Sequence, residues 1–316
     1  MVRFLVKVSV VVSTYSEDRL GYVRECLQSL KRQSVPPVEV ILVLDPRPSL
    51  VEFYQSRLSG DVRIIASDGF GLSNARNAGV KSARGDIVAF IDDDAVADVD
   101  WISNLFGGYE NPEVVGVGGY ITPVWEDGSP PWFPAELNWI VGCSYKGLPE
   151  HRSNVRNPIG CNMSFRRIIF DAVGYFRTDV GRFGGMLLGG EEPELSFRIL
   201  NEFPHSKILY EPSAIVYHKV GKSRRRLAYL FRRSFYEGVS KALIVHSRTG
   251  VDHGLSAENQ YLKYLIRVAI PSKVRHFYRL DVLSQLMTLS LSTCAVLLGF
   301  SVGRLGRYGA DNLQAE

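Results

Sequence analysis

The residues best placed to do chemistry in this 316-residue chain are three consecutive acids, Asp92-Asp93-Asp94, at the end of the apolar run Ile87-Val88-Ala89-Phe90-Ile91. β-Branched and aromatic residues of this kind make a buried strand, so the acids are delivered at a strand terminus, where open α/β sheets build their ligand sites. Three adjacent carboxylates repel one another. A hard divalent cation, with phosphates and water completing its shell, relieves that repulsion and fixes a nucleotide diphosphate. The motif points to metal-assisted group transfer from a nucleotide, and a solvated Asp-rich turn is the competing reading.

The surrounding pattern explains how the acids are presented. Residues 8–12 read as a first buried strand, followed by the turn Ser13-Thr14-Tyr15-Ser16 and a helix over 22–32. A second strand over 38–44 ends at Asp45, Asp45-Pro46-Arg47-Pro48 breaks the structure, and a short helix over 51–58 leads to a third strand at 62–65. The string Gly69-Phe70-Gly71-Leu72-Ser73-Asn74-Ala75-Arg76-Asn77 then introduces a helix through about Ala83, and Gly85 closes it before the acid-tipped strand. This alternation predicts an α/β fold: a mainly parallel, twisted sheet covered by helices. The first half, about 1–100, reads as the nucleotide-binding part. Beyond Trp101 come short strands and loops, with a Pro/Trp-rich stretch over 125–134 and a helix-to-strand passage over 199–217. We place an acceptor half at 101–218 and a C-terminal helical appendage at 219–316.

Composition narrows the class. Hydrophobic residues make up 46% and charged residues 22%, ordinary for a globular chain, and a formal charge of +4 is too small to imply nucleic-acid binding. The positive charge is uneven. Between 219 and 248 nine Lys/Arg face only Glu237 and interleave with Tyr229, Phe231, Phe235 and Tyr236, a pattern that suits phosphates, an anionic membrane surface or a solvated helix face. Cys26, Cys143, Cys161 and Cys294 form no Cys-x-x-Cys pair, which argues against a zinc site or a disulfide scaffold. The first residues run into a strand-like segment without a cleavable leader, so a reducing, cytoplasmic catalytic domain is expected. Residues 282–303 are apolar, about long enough to span a bilayer, and bracketed by Arg275, Arg279, Arg304 and Arg307. Ser284, Gln285, Thr288 and Ser292 put a polar stripe on them, leaving a membrane helix, an interfacial helix and a soluble core helix as alternatives.

Several separated strings together resemble family 2 glycosyltransferases of the GT-A fold. They are Ser9-Val10-Val11-Val12-Ser13-Thr14-Tyr15, the strand end at Asp45, Gly71-Leu72-Ser73-Asn74-Ala75-Arg76-Asn77-Ala78-Gly79, Asp92-Asp93-Asp94, Gly160-Cys161-Asn162-Met163-Ser164-Phe165-Arg166 and Gly190-Glu191-Glu192-Pro193-Glu194-Leu195. Their order covers roughly residues 7–220. Tyr217-His218-Lys219-Val220 and the Arg-rich continuation further resemble membrane-associated archaeal enzymes that extend lipid-linked glycans for protein N-glycosylation, some with a glucuronic-acid donor and a dolichyl-phosphate-linked acceptor.

The resemblance assigns roles residue by residue. It implies that Ser13, Tyr15 and Asp45 surround the uracil of a UDP-sugar and that Arg76 contacts the nucleotide. Turn capping for Ser13 and Asp45, and an ion pair for Arg76, are the structural alternatives. Asp94 is expected on Mg²⁺ or Mn²⁺, with Asp92 or Asp93 holding ribose or metal-bound water, and His218 as a further metal or pyrophosphate contact or, as a lone histidine more often is, a structural residue. Asn162 and Gly160 are expected near a sugar, or in a structural turn. Glu192 takes the position of the base that deprotonates the acceptor, with Glu191 as rival and helix-terminus stabilisation as the alternative for both. Trp125, Trp132 and Trp139 are expected to stack on sugar, touch lipid or pack in the core. The implied activity is inverting transfer of a sugar to a lipid-linked glycan on the cytoplasmic face of the membrane, held peripherally or by one C-terminal helix. Cell-surface polysaccharide synthesis, a nucleotidyltransferase and a non-catalytic sugar-nucleotide-binding scaffold are the rivals.

Overall fold

The computed structural model describes residues 7–58, 60–179, 188–246 and 255–305. Two compact units divide them, one from 7–123, 149–179 and 191–219, the other from 124–148, 188–190 and 220–305. Arg248 and Arg307, counted above among the basic residues, lie outside the described residues.

The first unit is built on strands β1 (Val8–Thr14), β2 (Glu39–Leu44), β3 (Arg63–Ala66), β4 (Ile87–Asp92), β5 (Ala95–Ala97), β6 (Val114–Trp125), β7 (Ser153–Asn154), β8 (Asn162–Arg166) and β9 (Lys207–Val220). Their order is β3-β2-β1-β4-β8-β6-β9-β5, with β7 beside β9. The β1, β2 and β4 runs are Val/Ile/Leu-rich and nearly continuously buried, the mark of parallel strands covered on both faces. β1 pairs in parallel with β2 and β4, and β2 with β3. From β1 the chain steps outward to β2 and β3 and then returns to the other side as β4. The carboxyl ends of β1 and β4 therefore flank a topological switch point, where such sheets open a crevice. The expected parallel pattern holds for these four strands only. β4 with β8, β8 with β6, and β9 with β5 and β7 are antiparallel, so the sheet as a whole is mixed.

Helices α1 (Leu20–Lys31), α2 (Pro48–Gln55), α3 (Leu72–Ser82), α4 (Trp101–Gly107), α5 (Ile168–Val173) and α6 (Glu191–Glu202) belong to this unit. One core face brings Val11, Val43, Phe90, Met163 and Phe165 from the strands against Ala75 and Ala78 of α3, Phe170 of α5 and Leu195 and Ile199 of α6. Burial of each large side chain contributes roughly 1.5–3 kcal/mol, which anchors α3 and α6 on the sheet and fixes where their first turns point.

The second unit contains α7 (Leu227–His246), α8 (Ser256–Tyr264), a π-helical turn Leu265–Ala269, α9 (Ile270–Val274) and α10 (Leu280–Arg304). The Trp-rich segment packs here: Trp125 meets Phe133 edge-on at 5.0 Å, and Trp139 Nε1 donates to Tyr261 Oη at 3.4 Å. α10 lies along α7 with backbones close enough that a Cβ at Gly299 would collide with the Phe235 carbonyl. The polar stripe turns inward, with Thr288 and Ser292 buried and Gln285 donating to the Pro131 carbonyl at 2.9 Å. Leu280, Leu283, Met287, Leu291, Leu297 and Leu298 are left exposed on the outside.

Glu237 of α7 lies 2.7 Å from Arg233 and 2.9 Å from Lys241. Burial opposes ionisation of this carboxyl, but the two cations outweigh it and hold it down at about 2. A depressed folded pKa means the stabilisation is complete above the ordinary value of 4.5 and is lost as pH falls towards about 2. Glu237→Gln is expected to destabilise the chain by about 3 kcal/mol at neutral pH, because it takes the charged partner from the shielded Arg233, while Lys241 keeps Glu258 at 2.6 Å. Denaturant unfolding of both proteins between pH 7 and the acid range checks this, with the gap between them narrowing below the ordinary Glu value.

Candidate active site

The parallel register sets the first residues of the site. Ser13 is the partner of Asp92 across β1 and β4, and Asp45 follows the last residue of β2. The loop after β1 is held from two sides, by Arg47 donating to the Tyr15 carbonyl and by Tyr54 Oη donating to the Ser16 carbonyl at 2.8 Å. Held in this way, Tyr15 is 57% exposed, with the Arg19 guanidinium over its ring, 5.1 Å from the centroid. Asp45 Oδ1 accepts from the amide of Gly71 at 3.3 Å. Gly71 sits at φ 96°, a left-handed conformation that suits glycine, and starts α3. Burial pushes the Asp45 carboxyl up, with the Gly71 amide and Arg47 pulling the other way.

The three acids have different surroundings. Arg19, just before α1, donates Nε to Asp93 Oδ2 and Nη2 to Asp93 Oδ1, and lies 2.9 Å from Asp94 Oδ2. Burial raises the Asp93 carboxyl, and Arg19 opposes that rise. His218 Nε2, opposite Ala95 in the β5–β9 ladder, is 3.3 Å from Asp94 Oδ1. The repulsion that sequence alone assigned to a cation is thus relieved in part by two side chains of the protein itself. Asp92 faces a different pair: its carboxylate, Cys161 Sγ and a ring nitrogen of His218 all lie within 4.8 Å of one another. A carboxylate, an imidazole and a thiol at that spacing fit a divalent cation.

Arg76 of α3 and the acids of α6 form the second half of the site. Arg76 Nη1 is 3.0 Å from Glu192 Oε1 and 3.6 Å from Glu191 Oε1, and only 3% of the Arg76 side chain is exposed. Burial disfavours its charge, yet Glu192, Glu191 and Asp92 together hold its pKa up. Gly160 lies directly beneath this pair, and a Cβ there would collide with Glu192 Oε1 and Arg76 Nη2. Asn77, next in α3, exchanges two hydrogen bonds with the backbone of Phe176 at 2.8 and 2.9 Å, which fixes the helix that carries Arg76.

Asn162 departs from the sugar contact expected of it. Its Oδ1 accepts from Trp101 Nε1 at 2.8 Å, and its Nδ2 donates to the carbonyls of Tyr120 at 3.0 Å and Ala214 at 2.8 Å. The side chain is fully buried and its amide is engaged in tying β8 to β6, β9 and α4. The turn reading is likewise too modest, since this is a brace across three strands. Arg19 and Cys161 are the residues that sequence reasoning passed over. The only signal for Cys161 is its place one residue before Asn162, which the antiparallel partnership of Ile91 with Asn162 brings beside Asp92.

Comparison with known proteins places the chain in a family. The family described as Glycosyl transferase family 2 matches residues 9–174. A glucosyl-dolichyl phosphate glucuronosyltransferase of Haloferax volcanii is 34% identical over 95% of this chain and 96% of its own length. Succinoglycan biosynthesis protein ExoM of Rhizobium meliloti is 26% identical over 78% of this chain and 77% of its own. The solved structure of GalNAc-T7 with UDP, GalNAc and Mn²⁺ superposes with a TM-score of 0.51 at 16% identity, over 86% of this chain and 58% of that one, a likeness of fold. The chain belongs to glycosyl transferase family 2. It is a glycosyltransferase with a GT-A-like mixed α/β fold.

Asn162→Ala is expected to remove partners from a buried indole N–H and two carbonyls, at a cost of roughly 3 kcal/mol in total. Thermal unfolding should show the loss, and nucleotide binding by the protein that remains folded should be unchanged. A variant of native stability with weakened sugar binding would return Asn162 to the ligand.

Proposed function

We propose that the enzyme transfers a sugar from a UDP-sugar to a hydroxyl of a lipid-linked glycan with inversion, and that glucuronic acid added to a dolichyl-phosphate-linked sugar in N-glycan assembly is the leading donor and acceptor pair. The observation that carries this reading is the meeting of two acid groups at the crevice edge, the Asp92 cluster and Glu192, linked through Arg76. Identity along nearly the whole chain to an enzyme named for glucuronosyl transfer to glucosyl-dolichyl phosphate supports the particular donor and acceptor.

Tyr15 offers uracil the ring face turned away from Arg19, and Ser13 and Asp45 offer polar groups to the base edge. Asp92, His218 and Asp94 surround the diphosphate end, where a bound Mg²⁺ or Mn²⁺ would supply positive charge to the departing UDP. Glu192 accepts the proton of the acceptor hydroxyl, whose oxygen attacks the anomeric carbon from the face opposite the phosphate. The bond from that carbon to the β-phosphate oxygen breaks, and UDP leaves. Arg76 is a positioning residue: it fixes the Glu192 carboxylate above Gly160, where no side chain intrudes.

Glu192→Gln is expected to lower transfer by about 10²–10⁴-fold, whereas Glu191→Gln should retain most of it. The assay incubates purified enzyme and divalent cation with a panel of UDP-sugars and lipid extract, then identifies glycosylated lipids by mass spectrometry. Retained transfer in Asp94→Ala and Glu192→Gln would remove these roles. Release of pyrophosphate from a nucleoside triphosphate would favour the nucleotidyltransferase, and tight UDP-sugar binding without turnover would favour the scaffold.

We propose a catalytic portion over 1–218 and a membrane-associated portion over 219–316. α10 is 25 residues long and contains an 18-residue window of mean hydropathy 1.8, long and apolar enough to cross a membrane. Its inward polar stripe and outward leucines support contact with lipid, and the lack of a disulfide among the described Cys26, Cys143, Cys161 and Cys294 is in keeping with a cytoplasmic-face location. Combining Leu283→Asp, Met287→Asp and Leu291→Asp should abolish flotation with anionic-lipid vesicles while leaving transfer to a short-chain soluble acceptor within about threefold, since one buried charge per turn costs several kcal/mol in hydrocarbon.

A further inference from the structure

The acids that a sequence reader assigns to the cation are not equally available to it. Asp93 is held by two nitrogens of Arg19, and Asp94 is shared between Arg19 and His218. A cation seated on those two carboxylates would have to displace a guanidinium from buried carboxylates, against strong charge-assisted hydrogen bonds. The third acid, Asp92, points its carboxylate into a cluster of different chemistry. Cys161 and His218, 4% and 2% exposed, bring a sulfur and a ring nitrogen to within 4.8 Å of it and of each other. Bonds of about 2.0–2.3 Å let one ion reach ligand atoms spaced like this.

The three ligands come from separate parts of the sheet. Asp92 ends β4, Cys161 immediately precedes β8 in the position opposite it, and His218 lies in β9. The spacing therefore depends on ladder register rather than on a loop. Asp94, 3.3 Å from His218 Nε2, stands to the imidazole as the outer carboxylate that orients a metal-ligating histidine. Sulfur decides which ion the cluster prefers. Mg²⁺ is hard, dehydrates reluctantly and takes oxygen, whereas a thiolate and an imidazole favour Zn²⁺ and other borderline first-row cations.

We infer that Cys161 is a thiolate ligand of this cation site, and that Asp92, Cys161 and His218 make it a mixed oxygen, sulfur and nitrogen centre selective for Mn²⁺, Co²⁺ or Zn²⁺ over Mg²⁺. This rests on the reading that the strand edge holds a divalent cation. On binding, the thiol proton passes to solvent and the sulfur lone pair forms the bond to the ion.

The test titrates the full-length protein in detergent with Co²⁺ and follows the thiolate-to-metal charge-transfer absorption in the near ultraviolet. The wild type should develop the band, Cys143→Ser should keep it, and Cys161→Ser should lose it while melting at the wild-type temperature. In parallel, Mn²⁺ binding measured by paramagnetic resonance should resist Mg²⁺ in the wild type, and Cys161→Ser should reduce the preference for Mn²⁺ at least tenfold. A wild type that binds Co²⁺ without the band, or a Cys161→Ser protein with band and selectivity intact, overturns the inference. Failure of sugar transfer does not bear on it: a charge-transfer band without transfer from any UDP-sugar sinks the proposed function alone, and cation-dependent transfer without the band sinks the thiolate ligand alone.

Discussion

Like charge gathered at one edge of a sheet is the constraint on which the rest of this structure depends. The carboxyl ends of β1, β2 and β4 bring Asp45, Asp92, Asp93 and Asp94 together, and the first turn of α6 adds Glu191 and Glu192. Burying so many acids is tolerable only if each finds a countercharge, a hydrogen-bond donor or an ion. Arg19 serves Asp93 and Asp94, Arg76 serves Glu191 and Glu192, and the Gly71 amide serves Asp45. The rest of the first unit is organised so that these donors arrive from different elements at the same place.

That requirement explains why several residues with an apparent ligand role have tertiary duties as well. Arg76 is almost wholly inside the protein, so its pairing with two glutamates links α3 to α6 while leaving a carboxylate at the crevice. Gly160 is small because the Arg76–Glu192 pair fills the space its Cβ would take. Asn162 spends its amide on Trp101, Tyr120 and Ala214 and so fixes the strand that carries Cys161 up to Asp92. A family motif can thus mark the framework of a site as readily as its contacts.

The second unit balances its charges by the same rule. Its basic stretch is partly answered from within: Asp127 lies near Lys222 and Arg225, and Glu237 sits between Arg233 and Lys241. The hydroxyls of Thr288 and Ser292 and the Gln285 amide of α10 turn towards protein, and leucines turn outward. Turned this way, those polar groups are kept from apolar surroundings that the leucines would gain from.

Much of this was legible in the sequence. Periodicity and breakers located β1 to β4 and α1 to α3 to within a few residues, because local apolar patterning and Gly/Pro turns determine such elements. The string Asp92-Asp93-Asp94 at a strand end marked the place of the site, since a run of apolar residues ending in acids constrains its own geometry. Three things were decided only by the tertiary structure: that Arg19 answers Asp93 and Asp94, that Asn162 is a brace, and that Cys161 and His218, 57 residues apart in the numbering of the chain, meet at Asp92. The antiparallel half of the sheet belongs with them. Each depends on which strands lie side by side and in what register, and a long-range pairing leaves no periodicity in the residues that make it.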